Sequence, residues 1–186
     1  MLWWFRHDLD TGLISRLDEL ARREPEVERL DETSLRPDPY LEILGRVADL
    51  KRVWAGPAFH FPEEGAGGGA AVVIEVGQRD VLRRYCSEWL DDVSDCQPFV
   101  VFLDGGDAVS LCATVRRSDV AEEAGVETHP DFRGKGLAGE VTAAWAREVR
   151  RLGRIPLYST SWTNGASIAV ARKLGLIRYA ATLHIT

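Results

Sequence analysis

Apolar and polar positions recur along this chain with two different periods, and the switches between them mark its elements. Over residues 9–24, Leu13, Ile14, Leu17, Leu20 and Ala21 repeat at helical spacing, the stripe of an amphipathic helix. Arg36-Pro-Asp-Pro39 breaks the pattern, and Leu41, Leu44 and Val47 resume it over 39–50 as a second helix. Val53 to Phe61 reads as an aromatic strand. The tract Glu63-Glu-Gly-Ala-Gly-Gly-Gly69 follows neither period and reads as a flexible loop and internal boundary. No Lys-Ser/Thr follows its glycines, so it is not a phosphate loop.

The remainder is more regular. Ala71–Val76 reads as a strand, and Arg79–Leu90 as a helix carrying Val81, Leu82, Tyr85 and Leu90. Pro98–Leu103 and Ala108–Val115 are strands joined by Asp104-Gly-Gly-Asp107, a hairpin signal. Residues 120–128 add a third strand to this meander, where Gly125 indicates a bulge or a close backbone approach. A helix over 136–152 presents Leu137, Val141, Trp145, Val149 and Leu152 on one face. Gly153 ends it, and Pro156 opens a strand over Leu157–Ser161. Asn164 caps a last helix that stops at Leu174 with Gly175 beyond it, and Ile177–Ile185 is the final strand. This order predicts an α/β protein built on a mixed α+β sheet. Residues 1–70 form a mostly helical N-terminal extension and 71–186 the main domain.

One junction stands apart. In Glu127-Thr-His-Pro-Asp-Phe-Arg133-Gly134-Lys135-Gly136-Leu137-Ala138-Gly139, a loop of glycine and cation joins a strand to an amphipathic helix. No Ser, Thr, Asp or Asn stands just before that helix to cap it. Its first N–H groups are therefore left for an anion, at the positive end of the helix dipole.

Composition narrows the classes. With 45% hydrophobic and 28% charged residues, the sequence is that of a globular protein. No apolar run is long enough to cross a bilayer, and MLWWFRHDLD lacks the features of a signal peptide. The three cysteines have no metal-ligand spacing and the four histidines are scattered, so no metal site and a reducing, cytoplasmic setting are expected. A net charge of −6 argues against nucleic acid as a partner and is compatible with an amine substrate.

Two segments together resemble the GNAT superfamily of acyl-CoA-dependent N-acyltransferases. Arg133-Gly-Lys-Gly136-Leu-Ala138 is similar to the family's pyrophosphate loop. Asn164-Gly-Ala-Ser167, with Ala171-Arg-Lys-Leu174-Gly175-Leu176 after it, looks like the family's Asn-x-x-Ser…Lys-Leu-Gly segment. The likeness covers 97–186, with weaker support from 71. It implies a GNAT-like fold with an antiparallel meander and two central strands that splay apart. Acetyl-CoA would then be the cofactor, held by Arg133, Gly134, Lys135, Gly136, Leu137 and Ala138 at its phosphates. The strand around Val126 and Thr128 would hold its pantetheine arm from one side, and Asn164 and Ser167 from the other. The implied reaction is direct attack of a primary amine, on a small molecule or a peptide, upon the thioester in a ternary complex. A non-catalytic acyl-CoA sensor is the alternative.

For the base, Glu127 comes first because it ends the strand that would flank the thioester; Glu122 and Glu123 follow, then His129. Two departures from the family stand out. Many members carry a Tyr acid where this chain has Ala171, which leaves Ser167 or water to stabilise the thiolate. The family also closes with two strands after its last helix, and this chain shows one, so the other would come from the N-terminal extension or from a second subunit of a homodimer. Arg147, Arg150, Arg151 and Arg154 would either meet the 3′-phosphate or complement their own helix end, and Trp145, Trp162 and Tyr158 read as packing. Gly134-Lys-Gly136-Leu-Ala-Gly139 also spells a dinucleotide fingerprint, but it follows a meander rather than opening a βαβ unit.

Overall fold

The computed structural model describes residues 3, 5, 7–25, 31, 36–63 and 69–185. Residues 64–68 of the glycine tract lie outside them. Asp10 caps α1 (Thr11–Arg22) by accepting from the Leu13 N–H, and Leu13, Leu17 and Ala21 form its buried stripe. α2 (Asp38–Leu44) starts at the Pro37/Pro39 pair and is shorter than its apolar pattern suggests, because Gly45 closes it. The following elements are β1 (Val53–His60), β2 (Val72–Ile74), β3 (Phe99–Asp104), β4 (Asp107–Arg117), β5 (Ala121–Thr128), α3 (Leu137–Arg151), β6 (Ile155–Ser159), α4 (Gly165–Lys173) and β7 (Ile177–Ile185).

The seven strands make one mixed sheet in the order β2-β3-β4-β5-β6-β1-β7. β2 to β5 form the expected antiparallel meander, with Gly105 and Gly106 at positive φ in the two-residue hairpin. β5 and β6 pair in parallel, across the α3 crossover. β1 stands between β6 and β7, antiparallel to both. Of the two sources expected for the additional strand, the chain uses its own N-terminal part. At Gly56, β1 passes so close to the end of β6 that any Cβ would run into the Thr160 carbonyl.

Both faces of the central strands are covered. On one face, Val100, Cys112, Ala124 and Tyr158 pack with Val141, Ala144, Trp145 and Val149 of α3. On the other, Phe99, Val101, Leu111 and Ala113 pack with Leu82, Cys86 and Val93. This double burial explains why β3 and β4 read as near-continuous apolar runs.

The cover of the second face corrects one expectation. Arg79–Leu90 is not an α-helix; the segment makes two 3₁₀ turns, Val76–Leu82 and Ser87–Trp89. Its apolar residues are buried as expected, but Asp80, Tyr85, Cys86, Ser87 and Trp89 favour a helix weakly. Tighter turns carry Leu82, Cys86 and Val93 onto the sheet instead. Gly125 meets its expectation in part. The bulge lies opposite, where the β4 register shifts between Thr114 and Arg116, and a Cβ on Gly125 would collide with the Val115 side chain.

Candidate functional site

The loop before α3 is shaped by glycine. A 3₁₀ turn, Pro130–Phe132, leads to an extended Arg133, after which Gly134 and Gly136 take φ of 78° and 85°. Side-chain-bearing residues rarely adopt this left-handed region. No side chain caps α3, so the N–H groups of its first turn point outward, at the positive end of a 15-residue helix. Three cations surround them. Arg133 Nε donates to the Thr128 carbonyl at 3.0 Å, which pins the guanidinium at the end of β5. Lys135 Nζ sits 4.6 Å from the centroid of the Phe132 ring. Lys173 comes from the far end of α4, and its Nζ lies 2.7 Å from where a Cβ on Gly136 would be. The acid of the first turn, Glu140, is turned aside, accepting from the Ala70 and Ala71 N–H groups at 2.5 and 3.1 Å. A glycine cradle, outward N–H donors and clustered cations fit a phosphate or diphosphate ester.

The loop adjoins an opening in the sheet. The β5–β6 ladder ends at Glu123 opposite Leu157, while β5 runs on to Thr128. The Val120 carbonyl accepts from Ile155 N on the β6 side, whereas the Glu127 carbonyl accepts from Ser110 Oγ on the β4 side. The main chain therefore alternates, and past the last β6 pair at Glu123 the main-chain groups of Val126 face the opening, where the ladder has ended. Thr128 faces the same way, with its carbonyl already bonded to Arg133. Exposed main-chain amides of this kind suit an amide-bearing ligand arm laid between the strands.

On the other side of the opening stands the start of α4. Asn164 Oδ1 accepts from the Ser167 N–H at 3.0 Å, the cap expected from the sequence. Ser167 Oγ lies 2.5 Å from the hydroxyl of Tyr158, a β6 residue that is 2% exposed. Burial pushes the Tyr158 phenol above its ordinary range, against the effect of the Ser167 hydrogen bond. Ala171, one turn further along α4, is buried in the same cluster.

Glu127 lies on the face opposite α3, under the 3₁₀ segment. Its Oε2 accepts from Trp89 Nε1 at 2.8 Å. Burial raises its carboxyl above the ordinary carboxylate range; the Trp89 bond opposes this, neighbouring Glu88 reinforces it, and Arg133 opposes it. Such a group takes up a proton nearer neutrality than a free carboxylate does.

The other acids are engaged elsewhere. Glu122, 1% exposed, accepts from Thr114 Oγ1 at 2.6 Å and pairs with Arg117 at 3.2 Å and Arg154 at 2.5 Å. It sits at the start of β5, away from the loop, and clamps β4, β5 and the entry to β6. Its two ion pairs commit Glu122 to that clamp. Glu123 pairs with Arg116 at 3.0 Å and accepts from Ser159 Oγ. His129 packs against Tyr85 with tilted rings, centroids 4.8 Å apart, and its buried Nδ1 has no hydrogen-bond partner among the described residues. Of the α3 arginines, Arg150 donates to the Phe61 and Pro62 carbonyls and Arg151 pairs with Glu148. Trp145 is core, its indole N–H donating to Thr114.

Burial drives the Cys86 thiol up to about 12, and Cys96 and Cys112 are raised as well, so none of the three offers a thiolate nucleophile at neutral pH. No group of three metal-ligating side chains occurs among the described residues, and no helix there is long and apolar enough to cross a membrane.

Three residues of the site escaped the sequence reading. Trp89 and Tyr158 have ordinary packing spacing, and only the fold brings their polar atoms to Glu127 and Ser167. Lys173 belongs to a segment singled out for its sequence pattern, but nothing in that pattern directs its ammonium to Gly136.

Residues 99–181 match the family model described as GNAT acetyltransferase. No curated protein matches the sequence. Among solved structures, a GNAT-family protein from Novosphingobium aromaticivorans superposes with a TM-score of 0.59 at 19% identity, over 73% of this chain and 64% of that one. An acetyltransferase of the GNAT family from Colwellia psychrerythraea gives 0.57 at 15% identity, over 78% and 59%. A tandem GNAT protein of the clavulanic acid biosynthesis pathway gives 0.54 at 14% identity, over 94% and 68%. At these identities the likeness is one of fold, and the chain spans less than two thirds of the first two structures.

Proposed function

We propose that this chain, whose residues 99–181 match the GNAT acetyltransferase family model, moves an acetyl group from acetyl-CoA to a primary amine by direct attack. The observation that carries this reading is the uncapped start of α3 with Gly134 and Gly136 in left-handed conformation, directly beside the open stretch of β5. Acetyl-CoA supplies an activated thioester. The N–H groups of residues 134–138, with Arg133 and Lys135, hold its phosphates. Val126 and Thr128 on one side, and Asn164 and Ser167 on the other, orient the pantetheine arm.

Glu127 takes the proton that the acceptor ammonium must lose, directly or through one water, and its raised pKa suits it to do so near neutral pH. A main-chain N–H at the open edge of β5 steadies the thioester oxygen as charge builds on it. Ser167 gives the leaving sulfur a hydrogen bond while its own oxygen accepts one from the Tyr158 hydroxyl, and the released thiolate takes up its proton from water. With Ala171 unable to donate, this pair is the hydroxyl source at the helix start. The raised cysteines offer no thiolate for an acyl-enzyme route.

Calorimetric titration with acetyl-CoA, followed by an assay for CoA thiol release with a panel of amines, tests the reading. Micromolar binding and amine-dependent release are expected. Gly136→Asp should weaken binding at least tenfold, because it forces a side chain into a left-handed position and sets a carboxylate beside Lys173 where phosphate would lie. Binding without release by any amine would favour an acyl-CoA sensor instead.

A further inference from the structure

The loop cation closest to Gly136 does not belong to the loop. Lys173 is the last residue of α4, and its side chain runs back across the start of α3. Its Cδ lies 3.9 Å from a Cβ built on Gly139, and its Nζ 2.7 Å from one built on Gly136. Two glycines therefore make the channel that the side chain follows: Gly139 lets the stem lie flat on the helix, and Gly136 leaves room for the ammonium at its N-terminus. No carboxylate among the described residues pairs with that ammonium. Glu140, the nearest acid along the helix, is occupied by the Ala70 and Ala71 N–H groups. Lys173 is exposed, so solvent screens its ammonium, and an anion arriving at the positive end of the helix dipole would give it a partner. Arg133 and Lys135 are partly committed in comparison, to the Thr128 carbonyl and the Phe132 ring.

We propose that Lys173 is a phosphate-binding residue of the cofactor site: its ammonium at Gly136 contacts the diphosphate of the bound acyl-CoA and so makes α4 part of diphosphate recognition. This assignment rests on the acyl-CoA reading above. It gives α4 two roles on one ligand, since its first turn carries Asn164 and Ser167 at the thioester end and its last residue reaches the phosphates. Binding would accordingly draw α4 against α3, and the contribution of Lys173 would be specific to the charged half of the cofactor.

The test compares acetyl-CoA with S-acetylpantetheine, which lacks the diphosphate, on wild type, Lys173→Met and Lys173→Arg, with Arg172→Met as an exposed neighbouring control. Thermal unfolding checks that each variant is folded. Lys173→Met should weaken acetyl-CoA binding about tenfold, the range of one charge-assisted hydrogen bond, and leave S-acetylpantetheine unchanged. It should also flatten the salt dependence of acetyl-CoA affinity, and Lys173→Arg should retain most of the binding. Because Gly136 and Lys173 touch, the losses from Gly136→Ala and Lys173→Met should combine to less than their sum. Equal acetyl-CoA affinity in folded Lys173→Met, or equal losses for both ligands, overturns the assignment while leaving the cofactor reading intact. Absence of acetyl-CoA binding by wild type overturns both.

Discussion

Glu127 owes its character to neighbours that only the fold supplies. A base must be deprotonated to act, so its contribution is present above its folded pKa and lost as pH falls through it. Since burial raises that pKa, the acid limb of kcat/KM should lie above the ordinary carboxylate range and disappear in Glu127→Gln. Trp89 lowers the pKa through its indole N–H, so Trp89→Phe, which keeps an aromatic ring beside Phe99, should move the limb to higher pH. A pH–rate profile of the three proteins decides the matter; an unmoved limb in both variants would exclude Glu127 as the base. At this scale the glycine-rich turn was legible in the sequence, as Gly134 and Gly136 take left-handed conformations. The sequence could not separate Glu122 from Glu127, because the two look alike there and differ only in whom they meet.

β5 is the element on which the site depends, and its two ends do different work. Its first half is bound to β6 and secured by Glu122, Arg117, Arg154 and Thr114, whereas its second half is released from β6. Glu122→Ala should therefore lower stability by about 3 kcal/mol, the cost of leaving arginines beside an emptied buried position. Acetyl-CoA affinity measured below the lowered melting temperature should hardly change. A selective loss of turnover at unchanged stability would instead mark Glu122 as a base. Element boundaries were legible wherever a turn residue marked them, as with Asn164 for α4 and Gly175 after it. The 3₁₀ cover over Val76–Trp89 was not, because its apolar spacing also fits a helix and the decision fell to the sheet beneath it.

For the whole molecule, the informative feature is the insertion of β1 between β6 and β7. It makes part of the N-terminal segment a structural member of the sheet that carries the site, and Gly56 is where β1 fits against the end of β6. Gly56→Ala should cost more than about 2 kcal/mol, since the obstructing atoms are backbone and cannot rotate away. Denaturant titration measures this directly, and a wild-type midpoint would mean that the two strands part more easily than their packing implies. By itself, the sequence determined the meander, the glycine loop and its helix, and the kind of anion they suit, because these follow from local rules: hairpin glycines, a missing cap, a helical apolar stripe. The tertiary structure alone decided which strand fills the sheet, which carboxylate is desolvated rather than paired, and that Lys173 reaches Gly136 and Tyr158 reaches Ser167. Those outcomes depend on contacts between segments far apart in the chain, and no local pattern encodes which distant partners will meet.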